Sequence, residues 1–190
     1  MYSKTPLRSL ENYKGLKIRA VGIFAKFFEK LGCQTVNFPM AEMYTALQLG
    51  TVTAVDQSPS NILDYKIYEL CRYATWPSHV TMDFCHVLIN MDAWKQLPND
   101  LKAIINLAGE LYFYEFHFYS QVIPNGAPAE KVWSDAKMKE LGMQWVYLPD
   151  SDVQVMKKAA LEILDEAAGK DAAAMQLAQM LKDYQKSQGY

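Results

Sequence analysis

Three polar residues stand where strands of a predicted sheet end, and they are the first candidates for a functional site. Arg19 lies near the end of the alternating segment 16–21, and Asp56 with Gln57 follows TVTAV at 51–55. A guanidinium can hold a carboxylate through two parallel hydrogen bonds, and an amide can both donate and accept. From the pattern alone, a salt-bridged surface arginine and a turn-stabilising aspartate remain the alternatives.

The spacing of the cysteines does not predict a metal or redox centre. Cys33, Cys71 and Cys85 are widely spaced and include no CxxC pair. His86 follows Cys85 directly, and neighbours on a strand point to opposite faces, so a shared metal is not expected. We therefore expect three buried free thiols and no metal site.

Motifs of enzymes are missing from the sequence. It contains no glycine-rich phosphate loop, no HExxH and no GxSxG. The enzymatic alternative uses Asp56 with His79 or His86 as acid and base, without a nucleophile or cofactor motif to support it. We expect a protein that is not an enzyme and has no cofactor.

The composition is typical of a folded globular chain. It has 190 residues, of which 51% are apolar, and its 19 Lys and Arg against 21 Asp and Glu give a net charge of −2. This excludes intrinsic disorder, which requires low hydrophobicity and high net charge. Nucleic acid is not an expected partner, because Lys and Arg are not clustered. No apolar run approaches the ~20 residues of a membrane helix.

The first part of the chain alternates strands with helices. Strands are predicted at 16–21, 34–38 and 51–55, and the helices between them end at Gly32 and Gly50. Such alternation predicts parallel βαβ units, hence an α/β fold with functional residues at the carboxyl ends of the strands. The three polar residues occupy these ends.

Helices dominate the remainder of the chain. Apolar residues of a long helix around 101–119 follow helical spacing, and its second half is apolar nearly all round, so we expect this helix to be buried on several sides. The other predicted elements are a helix at 60–71, a connection and the strand FCHVLIN within 72–90, a helix stop at 123–128, a helix from Pro128 to Gly142, a strand at 144–148 and two C-terminal helices.

Three stretches resemble the solute-binding proteins of tripartite ATP-independent periplasmic (TRAP) transporters, the DctP family. They are LENYKGLKIRA, LGCQTVNFPMAEMYTALQLGTV and INMDAWKQLPNDLKAII, in that order along the chain. Their order and spacing match the family, and the resemblance covers roughly residues 9–185. It implies an α/β, periplasmic-binding-protein-like (type II-like) two-lobed clamp.

The resemblance also implies how the chain is organised. Residues 1–190 would be one fragment of such a protein, resembling its C-terminal part without the signal peptide and most of the first lobe. The second lobe would comprise about 10–80 and 125–155, and about 85–124 would be a remnant of the first lobe with a long hinge-spanning helix. Residues 156–190 would form C-terminal helices.

The family resemblance assigns roles to four residues. Arg19 matches the arginine that binds the ligand carboxylate, and Asp56 and Gln57 match positions that point toward the ligand or, in a 2-oxo-acid subgroup, a bound cation. Thr53 stands where the family usually has Asp, and the subgroup's aromatic residue is missing at Gln57. Met40 occupies a position where relatives place an aromatic ring over the ligand. The alternative for Met40 is a core methionine.

The function implied is that of an extracytoplasmic solute-binding component of a TRAP transporter. It would bind a small organic acid, a monocarboxylate or dicarboxylate, and deliver it to the membrane permease subunits. The periplasm is the implied location, although MYSKTPLRSLENYKG shows no signal peptide. The alternative is a fragment without a transport role, acting as an oligomeric or partner-binding domain through an apolar surface around Leu88, Phe113 and Phe116.

Overall fold

The chain divides into two units. In the computed structural model, the first unit comprises Met1–Ser78 with Leu141–Tyr190, and the second comprises His79–Glu140. The structure describes residues 1–77, 87–123, 127–128 and 135–187.

A mixed sheet forms the centre of the first unit. Its strands in the described residues are β1 (Tyr2–Ser3), β2 (Lys17–Arg19), β3 (Gln34–Val36), β4 (Ala54–Val55), β5 (Tyr73–Trp76) and β8 (Gln144–Tyr147), in the order β3-β2-β4-β1-β5-β8. Strand β2 is parallel to β3 and β4, and β5 is parallel to β8, whereas β1 is antiparallel to both its neighbours. All strands except β1 therefore point the same way, and their carboxyl ends share one edge of the sheet.

The predicted strands at 16–21, 34–38, 51–55 and 144–148 are confirmed in shortened form. Strands β1 and β5 were not expected, and β5 lies within the predicted connection. The strand predicted for FCHVLIN is not found in its described part, because residues 87–90 belong to no sheet and are exposed. Residues 84–86 lie outside the described residues. An apolar run forms a strand only where a neighbouring strand pairs with it, and the hydrophobicity of the run does not show whether such a neighbour is present.

Helices connect and flank the strands. They are α1 (Gly22–Lys30), α2 (Met43–Leu49), α3 (Pro59–Asp64), α4 (Met91–Gln96), α5 (Asn99–Gln121), α6 (Asp135–Glu140), α7 (Asp150–Ala168) and α8 (Ala172–Ser187), with short 3₁₀ turns at Leu10–Tyr13, Met40–Glu42 and Ile67–Glu69. Gly50 ends α2 with φ of 77°, a left-handed conformation that favours glycine, as the sequence predicts. No helix of the described chain has the length and apolarity required to span a membrane.

The second unit corrects two expectations. As far as its side chains are described, up to residue 115, helix α5 is not buried on several sides, because Phe113 and Tyr114 of its second half are exposed. Pro128 does not begin a helix; it lies in β7 (Ala127–Pro128), which pairs antiparallel with β6 (Val122–Ile123). A proline fits such a two-strand ribbon because each strand there has a free edge, where a missing N–H costs nothing. Residues 129–134 of the predicted helix lie outside the described residues.

The core of the first unit forms between α1, α7 and the sheet. Phe28 of α1, Ile163 of α7 and Ile18 of β2 belong to one buried cluster. The apolar residues of α1 recur three and four positions apart, which places them on one helix face, and this face meets α7. Across the rim of this contact, Lys30 Nζ lies 3.0 Å from Glu162 Oε2 and 2.9 Å from Glu166 Oε1.

Replacing the buried ring of α1 is expected to destabilise the first unit. Phe28→Ala should cost about 3–5 kcal/mol, because it removes a fully buried side chain and leaves a cavity between α1 and α7. Phe24→Ala on the same helix is the control and should cost about 1 kcal/mol or less, since Phe24 is exposed. Urea unfolding followed by far-UV circular dichroism measures both. Equal losses in the two variants would contradict this packing.

Cys33 and Cys71 are buried free thiols, as expected, whereas Cys85 lies outside the described residues. Burial raises the pKa of both thiols to about 12. Only the thiolate reacts with a disulfide reagent, so at about pH 8 roughly one thiol in ten thousand is reactive. In a Cys85→Ser variant, we expect Ellman's reagent to label neither cysteine until urea is added. Rapid labelling of the folded variant would show that these thiols are not buried.

Candidate functional site

The candidate site forms where β2 and β4 end. Arg19, the last residue of β2, pairs in parallel register with Val55, and Asp56 follows immediately. The Asp56 backbone N–H donates to the Arg19 carbonyl oxygen at 3.2 Å. Parallel register therefore places the guanidinium-bearing residue beside the carboxylate-bearing residue at the carboxyl edge of the sheet. Such edges are where open α/β sheets bind ligands.

The guanidinium of Arg19 is held by one backbone oxygen. Its Nε and Nη2 donate to the Phe38 carbonyl at 3.4 Å and 3.3 Å, while the residue as a whole is only 7% exposed. Pro39 follows Phe38 and disfavours helical backbone at Phe38, which keeps this carbonyl at the end of the β3 segment. Both bonds are long, so the carbonyl orients the guanidinium more than it binds it.

The end of the Arg19 fork is left for another acceptor. A guanidinium has five N–H groups, and the Phe38 carbonyl takes the side formed by Nε and Nη2. Within the described residues, Arg19 makes no further side-chain hydrogen bond, so Nη1 and the second N–H of Nη2 do not donate to a protein acceptor. These two groups lie parallel to each other, and a carboxylate matches them with its two oxygens.

Burial shifts the protonation of both charged groups. It lowers the pKa of Arg19, and the neighbouring Asp56 carboxylate opposes that shift. It raises the pKa of Asp56, against the attraction of the Met1 α-amino group and of Arg19. Each group is thus less easily charged than in water, which is the usual consequence of removing an ion from solvent.

Gln57 is positioned by a second amide. Asn61 Nδ2 donates to Gln57 Oε1 at 2.6 Å, across the first turn of α3. The oxygen of Gln57 is occupied, and its NH₂ group has no acceptor within the described residues, so it can donate to an oxygen of a ligand. Pro59 begins α3 at a position that suits its missing N–H, and this start sets the spacing of the two amides.

Met40 lies on the third segment at this edge. It is half-buried in the 3₁₀ turn that follows β3, two residues after Phe38. The residues that the sequence singles out, Arg19, Met40, Asp56 and Gln57, therefore follow three adjacent strands of one sheet edge. Two partners were missed. The carbonyl of Phe38 has no side-chain signal, whereas Asn61 could have been found from its spacing of four residues after Gln57.

The described residues include no group of three or more His, Cys, Asp or Glu that could hold a metal ion. His79 and His86, the partners of Asp56 in the enzymatic alternative, lie outside the described residues.

The mixed, mostly parallel sheet flanked by helices defines an α/β protein, and comparison with known proteins gives its family. Residues 1–171 match the family described as bacterial extracellular solute-binding protein, family 7 (DctP). The chain belongs to this family, whose members are transport solute-binding proteins and not enzymes. The family resemblance and the α/β, periplasmic-binding-protein-like fold predicted from the sequence are confirmed.

Individual relatives show how far the similarity extends. A monocarboxylate 2-oxoacid-binding periplasmic protein of Nostoc sp. is 25% identical over 96% of this chain and 49% of its own length. The C4-dicarboxylate-binding periplasmic protein DctP of Rhodobacter capsulatus is 30% identical over 54% of this chain and 31% of its own. The chain spans about half the length of the first of these relatives.

Solved structures show the same relation. A TRAP periplasmic solute binding protein of Pseudoalteromonas atlantica, crystallised with bound sodium and pyruvate, superposes with a TM-score of 0.73 at 25% identity. The match covers 98% of this chain and 55% of that one. The fold of the described residues is therefore that of a substantial part of a TRAP solute-binding protein.

The raised pKa of Asp56 predicts a pH dependence of stability. In the folded protein the pKa of Asp56 lies above the ordinary 3.8 of the unfolded chain. At a pH between these two pKa values, Asp56 therefore takes up a proton on folding. The contribution of Asp56 to the free energy of unfolding then falls as the pH rises through this interval. Asp56→Asn should be more stable than the parent at about pH 7, and this difference should vanish at about pH 3.

Urea unfolding at the two pH values measures the effect. Asp64→Asn is the control, because it is the same change at an exposed position of α3. A variant Asp56→Asn that is less stable than the parent at neutral pH would mean that the attraction of Arg19 outweighs the burial of the carboxylate.

Proposed function

We propose that this chain is the ligand-binding part of an extracytoplasmic solute-binding component of a TRAP-type transporter, and that it binds a small organic acid. The observation that carries the proposal is the buried Arg19 guanidinium, whose Nη1 and Nη2 fork meets no acceptor within the described residues. A carboxylate fits this fork with two charge-assisted hydrogen bonds.

Electrostatics at the edge support an anionic ligand. Burial disfavours the charge of Arg19, so an arriving carboxylate would recover part of the lost solvation energy. Burial also raises the pKa of the neighbouring Asp56, so a charged carboxylate that would repel an anion is less favourable there than at an exposed aspartate.

The neighbouring side chains suggest how the remainder of the acid is bound. The NH₂ group of Gln57 would donate to a further oxygen of the ligand, and the thioether of Met40 would contact its carbon skeleton. The relatives named for 2-oxo monocarboxylates and C4-dicarboxylates are consistent with such an acid. Neither an enzymatic step nor a cofactor is part of the proposal.

At the level of the whole protein, the proposal assigns the first unit mainly to the second lobe of a clamp. In residue terms, about 10–80 and 125–155 would form that lobe, about 85–124 a remnant of the first lobe, and 156–190 the C-terminal helices. The bound acid would be delivered in the periplasm to the permease subunits of the transporter, as the family membership and the periplasmic relatives support.

Thermal unfolding with a panel of acids tests the proposal. C4-dicarboxylates, 2-oxo acids, hydroxy acids and sugar acids are added to the chain, and its melting temperature is followed. A ligand at about 100 times its dissociation constant adds about 2.7 kcal/mol to the free energy of unfolding, which a melting curve resolves. We expect at least one class of acid to raise the melting temperature and Arg19→Ala to abolish the increase.

Two further variants define the role of the guanidinium. Arg19→Lys keeps the charge but lacks the planar fork, so it should recover only a minor part of the stabilisation. Arg8→Ala removes an exposed arginine and should leave the response unchanged. The proposal is wrong if no acid stabilises the parent, or if the effective acid stabilises Arg19→Ala as much as the parent.

A further inference from the structure

Two side-chain amides form a pair beside the candidate site. Asn61 Nδ2 donates to Gln57 Oε1 at 2.6 Å, and both residues are half-buried. Gln57 belongs to the segment that follows β4, whereas Asn61 lies in the first turn of α3. Because the side chains of a helix point toward its N-terminus, an asparagine at this position reaches the residue four positions before it.

Asn61 is the anchored member of this pair. Its backbone carbonyl accepts from the Tyr65 N–H at 3.0 Å, and the next residue, Ile62, is fully buried. The asparagine side chain has two rotatable bonds and that of glutamine has three, so the longer amide adapts to the shorter one. Asn61 therefore sets the orientation of the Gln57 amide.

This orientation determines which group Gln57 offers. An amide has one acceptor oxygen and one donor NH₂ group, and the two diverge from the same carbon. With Oε1 taken by Asn61, the NH₂ group points away from that residue and meets no acceptor within the described residues. A glutamine without such a neighbour could turn its amide over and offer either group, because this torsion is roughly two-fold.

The NH₂ group belongs to the same sheet edge as the Arg19 fork. Arg19 pairs in register with Val55, and Gln57 stands two residues further along that segment. Adjacent strands lie about 4.8 Å apart, so a small acid is long enough to reach from one strand end to the next. An acid whose carboxylate lies on the guanidinium would bring the oxygen atoms of its neighbouring carbon to Gln57.

We propose that Asn61 is a positioning residue, which fixes Gln57 as a hydrogen-bond donor and so makes the site select acids with an acceptor oxygen next to the carboxylate. The inference rests on the proposed function, because it requires an acid on Arg19. A 2-oxo acid offers its carbonyl oxygen to the NH₂ group, and a 2-hydroxy acid offers its hydroxyl oxygen. An acid without such an oxygen leaves the half-buried NH₂ group unpaired, which weakens binding.

The change Asn61→Asp reverses the orientation of the pair. A carboxylate only accepts, so it takes the NH₂ group of Gln57 and turns Oε1 toward the ligand. That oxygen accepts from the hydroxyl of a 2-hydroxy acid, but it faces the carbonyl oxygen of a 2-oxo acid with no proton between them. The preference between the two acids should therefore change.

Isothermal titration calorimetry with matched acids measures this preference. The pairs are pyruvate with L-lactate and 2-oxoglutarate with L-2-hydroxyglutarate. We expect Asn61→Asp to lower the ratio of the oxo-acid to the hydroxy-acid association constant about tenfold or more. Both acids of a pair carry the same charge, so the charge that the variant adds cancels in this ratio. Binding of the hydroxy acid also shows that the variant is folded.

Two controls separate positioning from direct contact. Asn106→Asp makes the same change at an exposed asparagine of α5 and should leave the ratio unchanged. In a Gln57→Leu background, Asn61→Asp should no longer alter the ratio, because its effect passes through the Gln57 amide.

The pair also has a signature without ligand. One proton of the Asn61 NH₂ group is hydrogen-bonded, so in a nitrogen–proton correlation spectrum its resonance should lie downfield of the corresponding Asn106 signal. Gln57→Leu should remove this difference, and an Asn61 signal that Gln57→Leu leaves in place would contradict the pairing.

The outcomes distinguish this inference from the proposed function. If no acid binds the parent, the proposed function is wrong and the inference is wrong with it. If acids bind through Arg19 but Asn61→Asp leaves the ratio unchanged, only the inference is wrong. The same conclusion follows if propionate and glutarate, which lack the neighbouring oxygen, bind the parent as tightly as the matched acids.

Discussion

The burial of one guanidinium at the end of β2 is the constraint on which the carboxyl edge depends. A cation in this position loses solvation, and the long bonds from Arg19 to the Phe38 carbonyl return only part of it. Parallel pairing with β4 then brings Asp56 alongside, and burial makes this acid hold its proton more tightly. The edge is therefore polar and largely removed from water, as the proposed binding of a carboxylate requires.

The remainder of the first unit keeps this edge in place. Strand β2 lies between β3 and β4, so the segments that contribute Phe38 and Asp56 are fixed to it by backbone hydrogen bonds on either side. Helices α1 and α7 cover the same strands through the buried cluster around Phe28. A site assembled from the ends of adjacent strands inherits the rigidity of the sheet, and this allows long side chains to be held in one orientation.

The sequence predicted the parts of the fold and site that depend on local pattern. Alternating strands and helices placed Arg19, Asp56 and Gln57 at strand ends, and the family resemblance added Met40. Contacts set by tertiary structure were not predictable in the same way. Strands β1 and β5 are defined by their pairing with distant parts of the chain, and the Phe38 carbonyl carries no sequence signal. For helix α5 the sequence predicted more burial than the structure shows, because an apolar composition does not specify which residues would cover the helix.

Strand β1 has a further consequence, because it runs against its neighbours. Met1 consequently lies at the carboxyl edge, buried, with its carbonyl accepting from the Thr75 N–H at 3.0 Å. The backbone ahead of Met1 is therefore directed to the same edge as Arg19 and Asp56. An affinity tag joined there would bring additional backbone to this edge, so a tag belongs at the other end of the chain.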